Sequence, residues 1–299
     1  MSKPFNNYTH SYFAYLQIEK NSSVHTVKNY RDDLEQFFMF MNEQHIEKLT
    51  DVTHQDTRLY LTKLHEKKMA RASVSRKISA LRGFYRYLMR ESIVEENPFL
   101  NVYRPKGARK LPSFFYEEEM NELFETVQQT DKLSIRNKAL LELMYGTGIR
   151  VSECAGLELK DIDFDLGVIL VHGKGGNERY VPFGSFAAEA LEEYVKSSRT
   201  SLMKNTDHSI LFVNFRGGPL TAGGIRHILT GLMEKASLSG KIHPHMLRHT
   251  FATHLLNNGA DMRTVQELLG HASLSSTQMY THVTKEHLQK TYMNHHPRA

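Results

Sequence analysis

Cysteine is nearly missing from this 299-residue chain, and long hydrophobic runs are missing altogether. With Cys154 alone no internal disulfide can form, which fits a reducing compartment. That residue stands in RVSECAGL among apolar neighbours and reads as a small buried thiol. No apolar stretch approaches the length of a membrane span, and the opening MSKPFNNYTH lacks a signal-peptide apolar core. A cytoplasmic protein is the expectation. Internal repeats and low-complexity tracts are lacking too, so no repeat array organises the chain.

What is present is an ordinary globular composition, 40% hydrophobic and 24% charged, in a chain long enough for two domains. The charge is uneven. Residues 1–110 hold 19 Lys and Arg against 12 Asp and Glu, whereas residues 111–299 hold 19 against 21. The overall +5 therefore resolves into +7 and −2, and the basic first third points to a polyanionic partner.

The first hundred residues read as helical. In SSVHTVKNYRDDLEQFFMFMNEQ, Val27, Tyr30, Leu34, Phe37 and Met41 recur at three- and four-residue steps, with Ser23 or Thr26 as the cap. HQDTRLYLTKLHEKK predicts a shorter helix anchored by Leu59, Leu61 and Leu64. ARASVSRKISALRGFYRYLMRES carries a core stripe of Ile78, Leu81, Tyr85 and Leu88. Arg82, Arg86 and Arg90 run beside it, and Arg71, Arg76 and Lys77 cluster at its start. A merely solvated face mixes both signs, yet no acid occurs from Ala70 to Arg90; these six cations read as a DNA-facing set.

VYRPKGARKLPSFF then breaks the pattern with two prolines, a glycine and four basic residues, which predicts an interdomain linker. The expected organisation is a helical domain over 1–103, a basic linker over 104–112 and a second domain over 113–299. The second domain is mixed. YEEEMNELFETVQQ and SIRNKALLELMYGTG are helical, GVILVHGKGGNERYVPF reads as strand, glycine-rich turn and strand, and SFAAEALEEYVKSS returns to helix. ILFVN suggests a further strand, and from Pro244 onward the chain reads as helix with short breaks. The fold class is mainly α with a small β-sheet.

HPHMLRHTFATHLL gathers four histidines and an arginine, and poses a choice between a metal and a phosphate. A zinc-peptidase helix needs HExxH; His245 and His249 have the spacing, but Met246 holds the glutamate position. His254 lies about half a turn of the wheel from His245, and no cysteine pair supplies ligands. A phosphate suits the stretch better. Pro244 fits the first turn of a helix, so His245 and Arg248 share a face near its N-terminus, where free N–H groups favour an anion. Leu247, Phe251 and Leu255 would anchor the helix, and His249 and His254 read as core or surface histidines. A P-loop is excluded because Gly175, not Ser or Thr, follows Lys174.

Taken together, HPHMLRHTFATHLLNNGADMRTVQELLGHASLSSTQMYTHV, GTGIRVSE and GKGGNERYVP resemble the catalytic motifs of the tyrosine recombinases, the phage integrase family. The likeness extends over nearly the whole chain, departing only in an apolar exchange, Cys154 where the family usually has leucine. It implies a SAM-like, core-binding N-terminal domain and an α+β catalytic domain that close as a clamp on duplex DNA. By position, it implies that Arg150 and Arg248 hold the scissile phosphate and that Lys174 is the general acid. It further implies that His245 is an acid/base or a phosphate-oxygen donor, that His271 is a second donor completing the phosphate shell, and that Tyr280 is the nucleophile. Glu153, one helical turn after Arg150, stays open between an orienting acid and a plain surface acid. No metal and no ATP are required, since a 3′-phosphotyrosyl link stores the phosphodiester energy.

The partners implied are duplex DNA with a specific recombination site, a XerD-like paralogue in a cyclic heterotetramer, and an FtsK-type translocase as activator. The closing VTKEHLQKTYMNHHPRA reads as a helix on its own domain, whereas the resemblance implies docking into a neighbouring subunit. Rival readings remain: a phage or transposon integrase, a type IB topoisomerase, a non-catalytic DNA-binding module and a metal hydrolase.

Overall fold

The structure is a computed structural model that describes residues 5–20, 22–102, 114–173, 176–203, 207–238, 245–270 and 285–299. The chain divides into two compact units, Met1–Lys110 and Leu111–Ala299.

The first unit contains helices α1 (Asn6–Ile18), α2 (Val24–Glu43), α3 (His54–Glu66) and α4 (Arg71–Arg90), with one 3₁₀ turn at Leu49–Asp51. Ser23 is the α2 cap, its Oγ accepting the Thr26 N–H at 3.2 Å. α3 starts in a capping box in which Thr53 and Asp56 bond each other's backbone N–H. The α4 stripe of Ile78, Leu81, Tyr85 and Leu88 is buried as its spacing predicts, against an aromatic core that includes Phe37, Phe84 and Phe99. On α3 the anchors differ from expectation. Thr57, Tyr60 and Leu64 point inward, Leu61 is partly buried, and Leu59 is 41% exposed. Five residues separate Leu59 from Leu64, which turns it about 140° away on the wheel.

The second unit is built on α6 (Lys132–Thr147), every residue of which from Ala139 to Thr147 is buried. Asp131 caps its start through the N–H groups of Leu133 and Ser134, and Gly148, in the left-handed region at φ 59°, ends it. Around it lie α5 (Glu117–Glu125), α7 (Val151–Gly156), and α8 (Ser185–Glu193), which runs through a π-helical stretch, Tyr194–Arg199, into α9 (Thr200–Met203). α10 (Ala222–Lys235), α11 (His245–Asn257), α12 (Met262–Leu269) and α13 (Lys285–His295) follow. A three-stranded antiparallel sheet, β1 (Ile162–Asp163), β2 (Val168–His172) and β3 (Glu178–Pro182), pairs Ile169 with both Ile162 and Val181. The unit is thus mainly helical with a small sheet, and Cys154 is fully buried in its core, where burial pushes the thiol pKa up.

ILFVN is not a strand. Only isolated bridges form, Glu158 with Ile210 and Val213 with Pro219. Leu211, Phe212 and Val213 are all fully buried, so the segment lacks the half-buried face of an edge strand. Side chains take up its carbonyls: Tyr194 and Arg199 donate to Leu211 O, and Arg136 donates to Val213 O.

The C-terminal segment packs onto its own unit. Tyr292 is fully buried and its hydroxyl accepts the Gly184 N–H at 3.1 Å. Arg298 pairs with the buried Glu142 and lies 4.0 Å from the ring centroids of both Phe124 and Phe186. His296 is enclosed by the rings of Tyr145, Phe251 and Tyr292. Burial, with His254 nearby, pushes its pKa down from 6.5 to about 3. The folded state therefore refuses a proton that the unfolded chain takes up below pH 6.5. The stability from keeping His296 neutral is full above that pH and is lost as pH falls towards 3. His296→Phe should flatten the decline of the melting temperature between pH 7 and 5; parallel melting curves for the two proteins would refute this.

Candidate active site

α7 places Arg150 at its N-cap, and Glu153 closes a capping box on it: Glu153 Oε2 accepts the Arg150 N–H at 2.8 Å. The same carboxylate receives Arg150 Nη1 on Oε1 at 2.7 Å, so one acid fixes both the backbone and the guanidinium of Arg150. With its side chain 5% exposed, Glu153 is an orienting acid and not a surface one. Burial alone would raise its pKa, but the Arg179 guanidinium, the Arg150 N–H and then the Arg150 guanidinium outweigh it and hold the carboxyl below the ordinary range.

Arg248 approaches from α11. Its Nη1 donates to Gly148 O at 2.7 Å, across the left-handed end of α6, and its Nη2 donates to Leu269 O at the end of α12. A Cβ on Gly148 would come within 2.5 Å of the Phe251 ring, so glycine is required there by space as well as by φ. Burial, and then the positive charge of Arg150, push the pKa of Arg248 down to about 10. Arg150 Nη2 also reaches Gly270 O at 3.4 Å. Two arginines nearly a hundred residues apart in sequence thus meet at the C-terminal end of α12. Leu247, Phe251 and Leu255 on α11 are fully buried and anchor that helix.

α11 begins at His245, whose side chain, like Lys174, His271 and Tyr280, lies outside the described residues. In sequence His271 directly follows Gly270, and Lys174 lies in the connection between β2 and β3. His254 is committed to the core, bonded through Nδ1 to the Tyr145 hydroxyl and through Nε2 to Phe115 O; His249 is half-buried beside the Phe114 ring. Among the described residues, no group of three or more His, Cys, Asp or Glu gathers as a metal site would require.

Sequence reasoning missed Arg179. From β3 it forks onto Glu153, with Nη1 on Oε1 at 3.1 Å and Nη2 on Oε2 at 3.0 Å, while its Nε donates to Leu268 O at 3.2 Å. One signal was available: the two-residue repeat of β3 puts Arg179 on the same face as the buried Val181, an inward position for a cation.

The family models match both units: "Phage integrase family" over residues 113–287 and "Phage integrase, N-terminal SAM-like domain" over residues 10–92. The chain belongs to the phage integrase family of tyrosine recombinases. It is 55% identical to the tyrosine recombinase XerC of Bacillus subtilis over 98% of this chain and 97% of that one. To the XerC of Oceanobacillus iheyensis it is 57% identical, over 98% and 96%. A solved structure of the XerH recombinase bound to a palindromic difH substrate shares its fold, with a TM-score of 0.68 at 24% identity over 89% of this chain and 78% of that one. The recombinase is therefore a DNA strand-exchange enzyme, and its N-terminal unit is the SAM-like domain of the family.

In that unit the six cations of α4 fall into different situations. Lys77 is 1% exposed, its ammonium bound to Asp33 Oδ1 at 2.8 Å and Gln36 Oε1 at 2.7 Å. Arg76 also pairs with Asp33 and donates to Asn29 O. Arg82 donates to Phe99 O and Val102 O, tying down the segment after α4. Arg90 pairs with Glu19 and Glu91 against the Tyr15 ring. Arg71 and Arg86 are exposed and have no ion-pair partner among the described residues. Lys77 thus has no surface to offer a phosphate, because an acid from α2 draws it into the core.

Removing Arg248 strands two carbonyls in a buried position, at about 1–3 kcal/mol for each group left unsatisfied. Arg150, with 37% of its side chain exposed, leaves behind an acid that Arg179 still pairs. Arg248→Ala should consequently lower unfolding free energy in urea by more than Arg150→Ala; equal losses would contradict this assignment.

Proposed function

We propose that this recombinase resolves chromosome dimers by cutting and rejoining DNA at a specific site, in concert with a XerD-like paralogue. The reading rests above all on the meeting of Arg150 and Arg248. The guanidiniums of Arg150 and Arg179 bond one carboxylate, Glu153, and that of Arg248 lies near enough for the charge of Arg150 to lower its pKa. Cations kept close together and partly desolvated are stabilised by an anion between them, and a phosphodiester supplies one.

In this mechanism Arg150 and Arg248 hold the non-bridging oxygens of the scissile phosphate and stabilise the charge of the pentacoordinate transition state. His245 and His271 donate to the same oxygens. Tyr280 gives up its hydroxyl proton to solvent and attacks phosphorus, forming a 3′-phosphotyrosyl bond as the bond to the 5′ oxygen breaks. Lys174 protonates that leaving oxygen. A free phenol, of pKa about 10, is a poor nucleophile, and the surrounding cations favour its phenolate. Attack by the 5′-hydroxyl of a partner strand reverses the step and passes through a Holliday junction, so the phosphodiester energy is conserved without metal or ATP. The specific DNA site, a cyclic heterotetramer, activation by an FtsK-type translocase and a cytoplasmic location belong to the same reading, which the identity of over half to two XerC proteins supports. A type IB topoisomerase would need no paralogue.

The test is covalent trapping with EDTA present, on nicked duplexes carrying candidate chromosomal sites and with the paralogue supplied. A denaturation-resistant adduct that vanishes in Tyr280→Phe is expected. An adduct that survives in Tyr280→Phe, or that needs a divalent metal, would overturn the mechanism.

DNA affinity should fall steeply with salt, and the exposed Arg71 and Arg86 contribute to it. In plots of log affinity against log salt, Arg71→Ala or Arg86→Ala should each lower the slope by about one. Lys77→Met should leave the slope unchanged; a slope reduced by Lys77→Met and not by Arg86→Ala would reverse the assignment.

A further inference from the structure

We propose that Arg179 is a positioning residue for strand cleavage, acting by neutralising Glu153 so that this acid orients Arg150 without cancelling its charge. The inference rests on the reading of Arg150 as a phosphate clamp. Glu153 faces a conflict. To aim the Arg150 guanidinium it must bond it, and its Oε1 does so at 2.7 Å. A single carboxylate paired with a single guanidinium, however, leaves little net charge for a phosphate. The fork from Arg179 occupies both oxygens of the same carboxylate, at 3.1 and 3.0 Å, and supplies the compensating charge.

Arg179 cannot itself take the clamp role in this arrangement, because all three of its guanidinium nitrogens are already engaged. Nη1 and Nη2 are on Glu153 and Nε is on Leu268 O. Its side chain is 15% exposed, against 37% for Arg150. The division of labour follows from these partners: Arg150 is the cation left open to a ligand, and Arg179 is the internal counter-charge. Counting Arg150, Arg179, Arg248 and Glu153, the cluster carries a net charge of about +2, which loss of Arg179 would halve.

Position in the chain adds a second consequence. Arg179 lies on β3, beyond the connection that contains Lys174, and it packs against Gly270, the residue before His271. A Cβ on Gly270 would sit 2.9 Å from Arg179 Cδ and Nε, and Gly270 has φ +63°, so the flat approach of the guanidinium depends on glycine there. One side chain thus fastens α7, β3 and the end of α12 to one another.

The experiment uses the full-length chain with its paralogue and the nicked duplex on which the wild type is trapped. It measures the rate of adduct formation and, separately, DNA affinity, for Arg179→Gln, Arg179→Lys, the double variant Arg179→Gln/Glu153→Gln, and Arg150→Ala. Arg179→Gln should slow adduct formation by about tenfold or more while changing DNA affinity by less than about twofold. Arg179→Lys, which keeps the charge but loses the fork, should fall between it and wild type. Decisively, Glu153→Gln added to Arg179→Gln should recover several-fold of the lost rate, because it removes the uncompensated acid. A merely structural Arg179 gives no such recovery, so a double variant no faster than Arg179→Gln overturns the proposal, as does an Arg179→Gln as fast as wild type. If Arg150→Ala is itself as fast as wild type, the clamp reading has failed instead.

Discussion

A buried carboxylate held by two guanidiniums is the constraint on which the catalytic unit turns. Glu153 is nearly inaccessible, and an isolated charge in that position would be costly. Arg150 and Arg179 make it tolerable, and in doing so they bring α7 and the sheet to one point. Arg248 completes the junction by bonding the carbonyls that end α6 and α12. Groups that hold the fold together are therefore the same groups that the proposed mechanism sets against a phosphate, which would tie the stability of this region to its chemistry.

The N-terminal unit repeats the device with a different outcome. Asp33 is fully buried, and both Arg76 and Lys77 converge on it from α4. Here Lys77 is consumed, and together with Arg76, which keeps 37% of its side chain exposed, it joins α2 to α4. Charge density on a helix is thus an unreliable guide to an interface, since a single acid, Asp33, more than 40 residues earlier in the chain pairs with two of the six cations and draws Lys77 inward.

Much of the fold was legible. Helices with a strong three- and four-residue repeat, such as α2 and α4, and the β2–β3 hairpin with its glycine-rich turn are written in local pattern. The errors have physical causes. ILFVN has the composition of a strand, but its backbone bonds to Tyr194, Arg199 and Arg136, partners that no local pattern displays. Leu59 is apolar yet exposed, because α3 turns its Tyr60 face to the core. Arg179 was overlooked because its partner Glu153 precedes it by 26 residues on a different element.

By itself the sequence determined the mainly helical class with a small sheet, the family and the types of side chain available for phosphate chemistry, since these depend on local periodicity and motif spacing. Tertiary structure alone decided which charges are free and which are committed. Arg150 remains partly open, Arg179 is bound to Glu153, Lys77 is bound to Asp33, and His296 is kept neutral among aromatic rings. The reason is that charge interactions act through space at a few ångströms, in surroundings whose desolvation is set by packing, and neither distance nor burial is encoded in the spacing of residues along the chain.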